Sequence, residues 1–276
     1  MVSFIVVAAG VLGALVGSFL NVVIWRVPRR ESVVRPASHC PNCDSPIRRR
    51  DNVPVVSWLM LRGRCRDCGA PISARYPAVE LGTGVFFAIV AWWSVAGLAA
   101  YPAATQAAAF GLVLAAFLYL AAVSVALALI DLDTHTLPNR IVYPSLIIGA
   151  VLLGASSMIS GDYFAIARAA IGGAALFTAY LVMALSYPGG MGFGDVKLAA
   201  VLGLFLGYLG WPQLAVGAFA PFLVGGVFSI ALVLAKRAGR KSRIPFGPWM
   251  LVGAWIGIFF GATIAVWYLN FVGLAP

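Results

Sequence analysis

Eight apolar runs, each long enough to cross a bilayer, dominate this chain of 276 residues and leave it one broad class of fold. A hydrocarbon core of roughly 30 Å is spanned by about 20 mostly apolar residues in a helix. Such runs fall at about 2 to 25, 78 to 98, 106 to 130, 141 to 160, 164 to 186, 196 to 210, 212 to 235 and 248 to 270. Charged residues make up only 10% of the chain, against about 25% in ordinary soluble domains. The expectation is an all-α polytopic membrane protein. Its first run has no basic lead-in and no clear small-residue cleavage site, so it reads as a retained helix.

The basic residues sort by side. Arg26 to Arg75 holds eleven Arg, Lys236 to Arg243 holds five basic residues, and with Arg140 and Lys197 these make eighteen of the 19. Arg168 alone is left for the other side. Eight spans with the N-terminus outside put the eighteen on one face, which the positive-inside rule makes cytoplasmic. The net charge of +10 then follows from topology and from attraction to anionic membrane lipids, the partner it predicts. Nucleic acid is not expected, because aromatic residues in the basic segment are too few and irregular to form a stacking platform.

One soluble module stands between the first two runs, and it contains all four cysteines. Cys40-x-x-Cys43-x-x-Pro46-Ile47 and Cys65-x-x-Cys68-x-x-Pro71-Ile72 are one pattern repeated 25 residues on. Two such knuckles offer two thiolates each to a single tetrahedral zinc. A pair of disulfides is the competing reading, but thiols on the cytoplasmic face sit in a reducing compartment. A segment of about 50 residues with few large apolar side chains cannot bury a sufficient core, so the metal would supply its folding energy. Four cysteines close the shell, which makes His39 a bystander. The expected division is residues 1–26 as the first membrane helix, 27–76 as the four-cysteine zinc module and 77–276 as a seven-helix membrane domain.

Two acidic motifs lie where an apolar run meets the basic side. Carboxylates near hydrocarbon are costly, so acids held at the ends of membrane helices are candidates for a functional site. In Ile130-Asp131-Leu132-Asp133-Thr134-His135 the apolar helix runs directly into Asp131. Two residues apart on a helix, the aspartates point away from each other. Asp131 is the inward candidate, with Asp133 and His135 read as a solvated helix end. A D-x-D metal site of the nucleotide-sugar transferase type shares only the spelling. The second motif, Gly192-Phe193-Gly194-Asp195-Val196-Lys197, is a Gly-rich turn that opens a helix and puts Asp195 near its N-cap. Glycines at 192 and 194 allow positive φ and close backbone approach. Lys197 reads as an interfacial cation whose stem lies along apolar surface.

Taken together, these motifs resemble those of bacterial type IV prepilin peptidases, the GxGD intramembrane aspartic proteases. The resemblance runs nearly end to end, through Gly17-Ser-Phe-Leu-Asn21, Trp25-Arg26-Val-Pro28, the cysteine module with Asp51-Asn52-Val-Pro54 and Gly63-Arg-Cys65-Arg66, and Tyr76-Pro77-Ala-Val-Glu80. It continues through Asp131-Leu-Asp133, Leu137-Pro138-Asn139-Arg140, Gly192-Phe-Gly194-Asp195 and Ile244-Pro-Phe-Gly-Pro248. Asn139 departs from the family, which often has Asp there. The resemblance implies that Asp131 and Asp195 are the catalytic pair. It also implies that the substrate is a prepilin or pseudopilin, cut after its short basic leader between Gly and Phe. Members with the cysteine module resemble bifunctional enzymes that N-methylate the new terminus with S-adenosylmethionine. Glu80 is a further candidate, for that cofactor or for the basic leader, beside its plainer reading as an interfacial carboxylate.

The residues agree with that resemblance on chemical grounds. Two carboxylates sharing a proton can supply base and acid to an attacking water. There are only two His, the Cys are committed to metal, and no G-x-S-x-G elbow is present. Two other classes of function stay open. A zinc-module scaffold of a secretion or pilus machine would leave Asp131 and Asp195 without a task, and a proton-coupled transporter would place its acids near the midplane. The Gly- and Pro-rich loops before Asp195 and around Ile244 to Pro248 are expected to move when substrate enters.

Overall fold

The computed structural model describes residues 2–96, 104–187, 191–236 and 245–274. Helix α1 (Val2–Arg26) is followed by a 3-10 turn (Arg49–Asp51) and a short α2 (Val56–Met60) in the cysteine segment. The remaining helices are α3 (Arg75–Ala96), α4 (Ala104–Thr134), α5 (Asn139–Ser160), α6 (Tyr163–Ser186), α7 (Phe193–Leu209), α8 (Trp211–Leu234) and α9 (Gly247–Phe271). Each apolar run is thus a helix, and among the described residues there is no strand. Pro188 to Gly190, the basic stretch 237–243 and Ile244 lie outside the described residues.

Seven of the long helices have the length and hydropathy to cross a membrane. The eighth, α7, has 17 residues, about 25 Å of rise. Its neighbours explain how so short a helix is accommodated. α7 packs against α5, α6, α8 and α9, and buries eleven of its residues, from Asp195 to Gly207. A helix sheathed by protein has little lipid-facing surface to match to the bilayer thickness, and it is apolar on all sides, as a buried helix must be.

The chain divides into two compact units, residues 1–101 with 117–126, and residues 102–116 with 127–276. In the first, α1 packs along α3, and Trp93 meets Phe117 edge-on at 5.5 Å. In the second, small residues bring helices together as the sequence suggests. A methyl group on Gly172 of α6 or on Gly203 of α7 would run into the other's backbone carbonyl, which is the close approach that small residues permit in membranes. Gly225 likewise admits Trp249, while Gly226 faces open space.

Charge follows the helix ends. Arg26 closes α1, Arg75 opens α3, Arg140 lies in the first turn of α5, and Lys236 follows α8. Arg168 donates to the Tyr208 carbonyl at the end of α7 at 3.4 Å and lies 3.8 Å from Asp162. A cation there satisfies an orphan C-terminal carbonyl.

Candidate active site and metal cluster

α4 continues past the apolar run to Thr134. Thr134 holds the last turn by returning its hydroxyl to the Ile130 carbonyl at 2.8 Å. Helical spacing then separates the two acids. Asp131 is buried, only 5% exposed, whereas Leu132 and Asp133 are exposed. His135 turns the chain at φ 51 and donates its N–H to the Asp131 carbonyl at 2.8 Å. The reading of Asp133 as part of an outward helix end agrees with its exposure, whereas His135, also exposed, borders the cavity that Asp131 lines.

Asp195 is the third residue of α7 and is 9% exposed. Its Oδ2 accepts the Gly192 N–H at 3.2 Å, and its own N–H goes back to the Gly192 carbonyl at 3.0 Å. Helix N-termini carry orphan amides, and an acid in the first turn answers them. Asp131 and Asp195 line one cavity of about 250 Å³, shared with His135, Asn139 and Lys197. Lys197 donates to Asn139 Oδ1 at 3.0 Å and stands 5.3 Å from the Tyr143 ring. It therefore borders the cavity with its ammonium tied to the position where the family often has Asp.

Of the two uses expected of these glycines, positive φ is taken at neither, while close approach is seen at Gly194. Gly192 has φ −79, so positive φ is not its purpose. Gly194 is the tight position: an added Cβ would stand 3.0 Å from the Leu137 Cβ, which would have to give by a few tenths of an ångström, whereas one on Gly192 would meet its nearest atom at an ordinary 3.4 Å. On the expectation that Asp195 is one of a catalytic pair, Gly194→Ala should lower activity by roughly tenfold or more, since a misplacement of about 1 Å at such a group can cost about 10²-fold. Gly192→Ala should keep most of its activity. Initial rates on a prepilin peptide for the two variants, side by side, check the contrast.

The sequence assigns Gly247 no role, yet it touches Asp131. Its N–H donates to Asp131 Oδ2 at 3.1 Å, and a Cβ on it would lie 2.7 Å from the same oxygen. The signal is present in the Pro-Phe-Gly-Pro stretch, which by itself reads only as a resemblance and a mobile loop. Phe246 beside it packs against Phe222 at 5.4 Å and Tyr180 at 6.4 Å, which seats the start of α9 on α6 and α8. Leu137 borders both Gly194 and Gly247, joining the chain after Asp131 to the starts of α7 and α9.

In the first unit, the Sγ atoms of Cys40, Cys43, Cys65 and Cys68 lie within 4.8 Å of one another, with Cys40 and Cys68 at 3.8 Å. Zn–S bonds of about 2.3 Å at tetrahedral angles place sulfurs about 3.8 Å apart, so the four thiols fit that ion. The sequence repeat is also a structural one. Bridges His39↔Pro46 and Arg64↔Pro71 close the two knuckles, and Asp44 and Gly69, also 25 residues apart, both take positive φ. Asn42 Nδ2 reaches Cys68 Sγ at 3.6 Å, a bond that orients a ligand. His39 turns to Asp44 and Ala37, away from the cluster. Arg66 grips Asp51 through contacts of 2.6, 2.9 and 3.1 Å, and this bond holds the Asp51 carboxyl below its ordinary range. Glu80 is buried in this unit, and its Oε2 accepts the Val55 N–H at 2.7 Å.

A bundle of membrane-crossing helices with two buried aspartates on one cavity, and a four-thiol module after its first helix, defines a multi-pass membrane protein with a paired-carboxylate site. The chain belongs to the type IV leader peptidase family: residues 118–230 match the model of that family, and residues 11–94 match the bacterial peptidase A24 N-terminal domain. The prepilin leader peptidase/N-methyltransferase of Aeromonas salmonicida is 36% identical to it, over 93% of this chain and 91% of the relative. Proteins of that name in Neisseria gonorrhoeae, 36% identical over 96% and 93%, and Pseudomonas aeruginosa, 34% identical over 95% and 92%, are similar as well. No solved structure matches the chain at a significant level.

Proposed function

We propose that this protein is an aspartic endopeptidase of the bacterial inner membrane. It removes the short basic leader of prepilins or pseudopilins at the cytoplasmic face and N-methylates the new terminus. The observation that carries the reading is the pairing of Asp131 and Asp195, the buried aspartates among the described residues, on a single cavity. Asp131 lies three residues before the end of α4 and Asp195 two after the start of α7. Both are therefore at helix ends, not at the midplane where a transporter binds its cargo.

In this reading, one carboxylate draws a proton from water as it attacks the scissile carbonyl. The other, protonated, gives its proton to the departing amine, so the pair ends with its roles exchanged. The Gly247 and Gly192 amides fix one oxygen of each carboxylate and leave the other for water and substrate. Gly194 and Lys197 position the turn that carries Asp195. A cut at this depth suits a substrate whose scissile bond lies just beyond its own membrane helix, and anionic lipid brings the basic leader to a basic surface. Residues 77–276 form the peptidase membrane domain, and 27–76 the zinc module on the cytoplasmic side. Cys40, Cys43, Cys65 and Cys68 would hold the zinc, which supplies folding energy and no chemistry.

S-adenosylmethionine finds no suitable seat in either of two cavities lined by described residues of the second unit. One is about 320 Å³ and lined by apolar side chains save for Lys197 and Tyr143, with no carboxyl for ribose hydroxyls or a sulfonium. The other is smaller and holds the aspartates. Glu80 already spends one oxygen on Val55. No methyl-transfer step runs through these groups.

The test is cleavage of a full-length prepilin by the purified protein, with product mass read with and without S-adenosylmethionine. The expected products are the free leader and a mature chain heavier by one methylene when the cofactor is present. An intact prepilin after prolonged incubation with folded protein would sink the peptidase reading, and an unmodified mature chain would sink the methyl transfer alone.

A further inference from the structure

The turn that precedes α2 is built in a way a water-exposed turn does not need. Val55 has φ 61 and ψ −49, and the Val56 N–H closes on the Pro54 carbonyl at 2.6 Å. This is a γ-turn of the positive-φ kind, rare and strained, and worse for a β-branched residue. Strain of this sort persists only where surrounding structure enforces it. Here the enforcing group is Glu80, whose carboxyl takes the Val55 N–H at 2.7 Å.

Depth gives the strain a meaning. Glu80 is the sixth residue of α3, about 7 Å along the helix from its start. A Cβ on Gly17 of α1 would lie 2.8 Å from the Glu80 Cα, so the two are level. Gly17 lies nine residues before Arg26, about 13 Å of helix inside that basic end. Through Glu80 the Val55 backbone is tied to the first two turns of α3, at the end where α1 and α3 carry their basic residues.

Backbone held against a membrane boundary loses water and finds its partners within the protein. This turn does so. The Val53 N–H goes to Ser57 Oγ at 3.0 Å, Pro54 has none, Val55 bonds Glu80, Val56 bonds Pro54, and the Ser57 N–H returns to the Val53 carbonyl at 3.0 Å. Outward from this satisfied backbone, α2 presents Val56, Leu59 and Met60 at 50%, 61% and 77% exposure. Exposed Arg49 and Arg50 precede the element and Arg62 follows it, as cations flank a segment that rests among phosphate headgroups.

We propose that Val53 to Met60 is a monotopic foot of the cysteine module, sunk into the headgroup and acyl boundary of an anionic bilayer with Val56, Leu59 and Met60 in lipid. Glu80 is the positioning residue that holds the foot down. The partner is the lipid surface, and the inference rests on the chain's crossing a membrane, independent of the peptidase reading.

The full-length protein in nanodiscs of mixed zwitterionic and anionic phospholipid, carrying a photoreactive benzophenone amino acid at Met60, tests this. Leu59 carries the probe in a second variant, so that misfolding of one leaves the test standing, and Ile47, an exposed apolar residue of the first knuckle, is the reference site. Illumination should give phospholipid adducts at Met60 and Leu59 at least about fivefold above Ile47, as expected for side chains lying in the acyl boundary. Glu80→Ala should lower the Met60 adduct while the zinc content stays unchanged. Adduct yields at Met60 and Leu59 no higher than at Ile47 would overturn the foot, and a Met60 yield indifferent to Glu80→Ala would overturn the anchor.

Discussion

Asp131→Asn and Asp195→Asn are each expected to abolish prepilin cleavage, with losses of at least about a thousandfold, and the double variant to be no worse than either single one. The size follows from the division of labour. In the proposed mechanism one carboxyl accepts a proton while the other gives one, and general acid-base steps are worth roughly 10² to 10⁴ each. Groups that act as a unit fail as a unit, so their losses do not add. Asparagine is the right substitution because it keeps shape and an acceptor oxygen. In Asp131→Asn the amide oxygen can still take the Gly247 N–H, and in Asp195→Asn the Gly192 N–H. Folding should therefore survive, checked by monodisperse elution and an unchanged melting profile. The decisive readout is initial cleavage rate at matched protein. A single variant that keeps a tenth of the wild-type rate would remove its aspartate from the chemistry, and losses that multiply in the double variant would show two independent roles in place of a pair.

Much of this architecture is legible in the sequence because its signals are local. A membrane helix is written as a continuous apolar run, and every such run forms a helix. The cysteine repeat is equally local, and its period of 25 residues reappears in paired bridges and paired positive-φ positions. The contacts that shape the site are not local. Gly247 is 116 residues from Asp131, and nothing in the Pro-Phe-Gly-Pro stretch says whose carboxylate its amide meets. Gly194 reads in sequence as a position that allows close backbone approach, but what it approaches is Leu137, distant along the chain and close in space. Glu80 is legible as a costly acid near hydrocarbon. Its partner is not, because a main-chain N–H has no identity in a sequence. The short α7 reads as a full span, since burial by four neighbours is a property of the packing and leaves no mark on hydropathy.

Removing the metal should unfold the cysteine module outright. Among the described residues from 27 to 74, only Cys40, Ser57 and Gly63 are buried, so there is no apolar core to fall back on. Structural zinc in small modules is worth about 10 to 16 kcal/mol of apparent folding energy, as much as the whole stability of a typical domain. The Asp51 and Arg66 pair ties one loop to the second knuckle but is half-open on its Arg side, and a single ion pair does not replace a metal that organises the whole module. The expected findings are one zinc per chain by elemental analysis, its loss on treatment with a strong chelator or in Cys43→Ser, and rapid proteolysis then confined to the stretch from 27 to 74. The second unit has its own buried core around α7 and should resist the same protease. Two disulfides are the alternative that this experiment must exclude. They would bring sulfurs to about 2.0 Å, leave no thiol to alkylate in the unreduced protein, and make the module indifferent to chelator. Four alkylatable thiols that become reactive only when the metal is withdrawn would instead mark a thiolate site, with its folding tied to the ion.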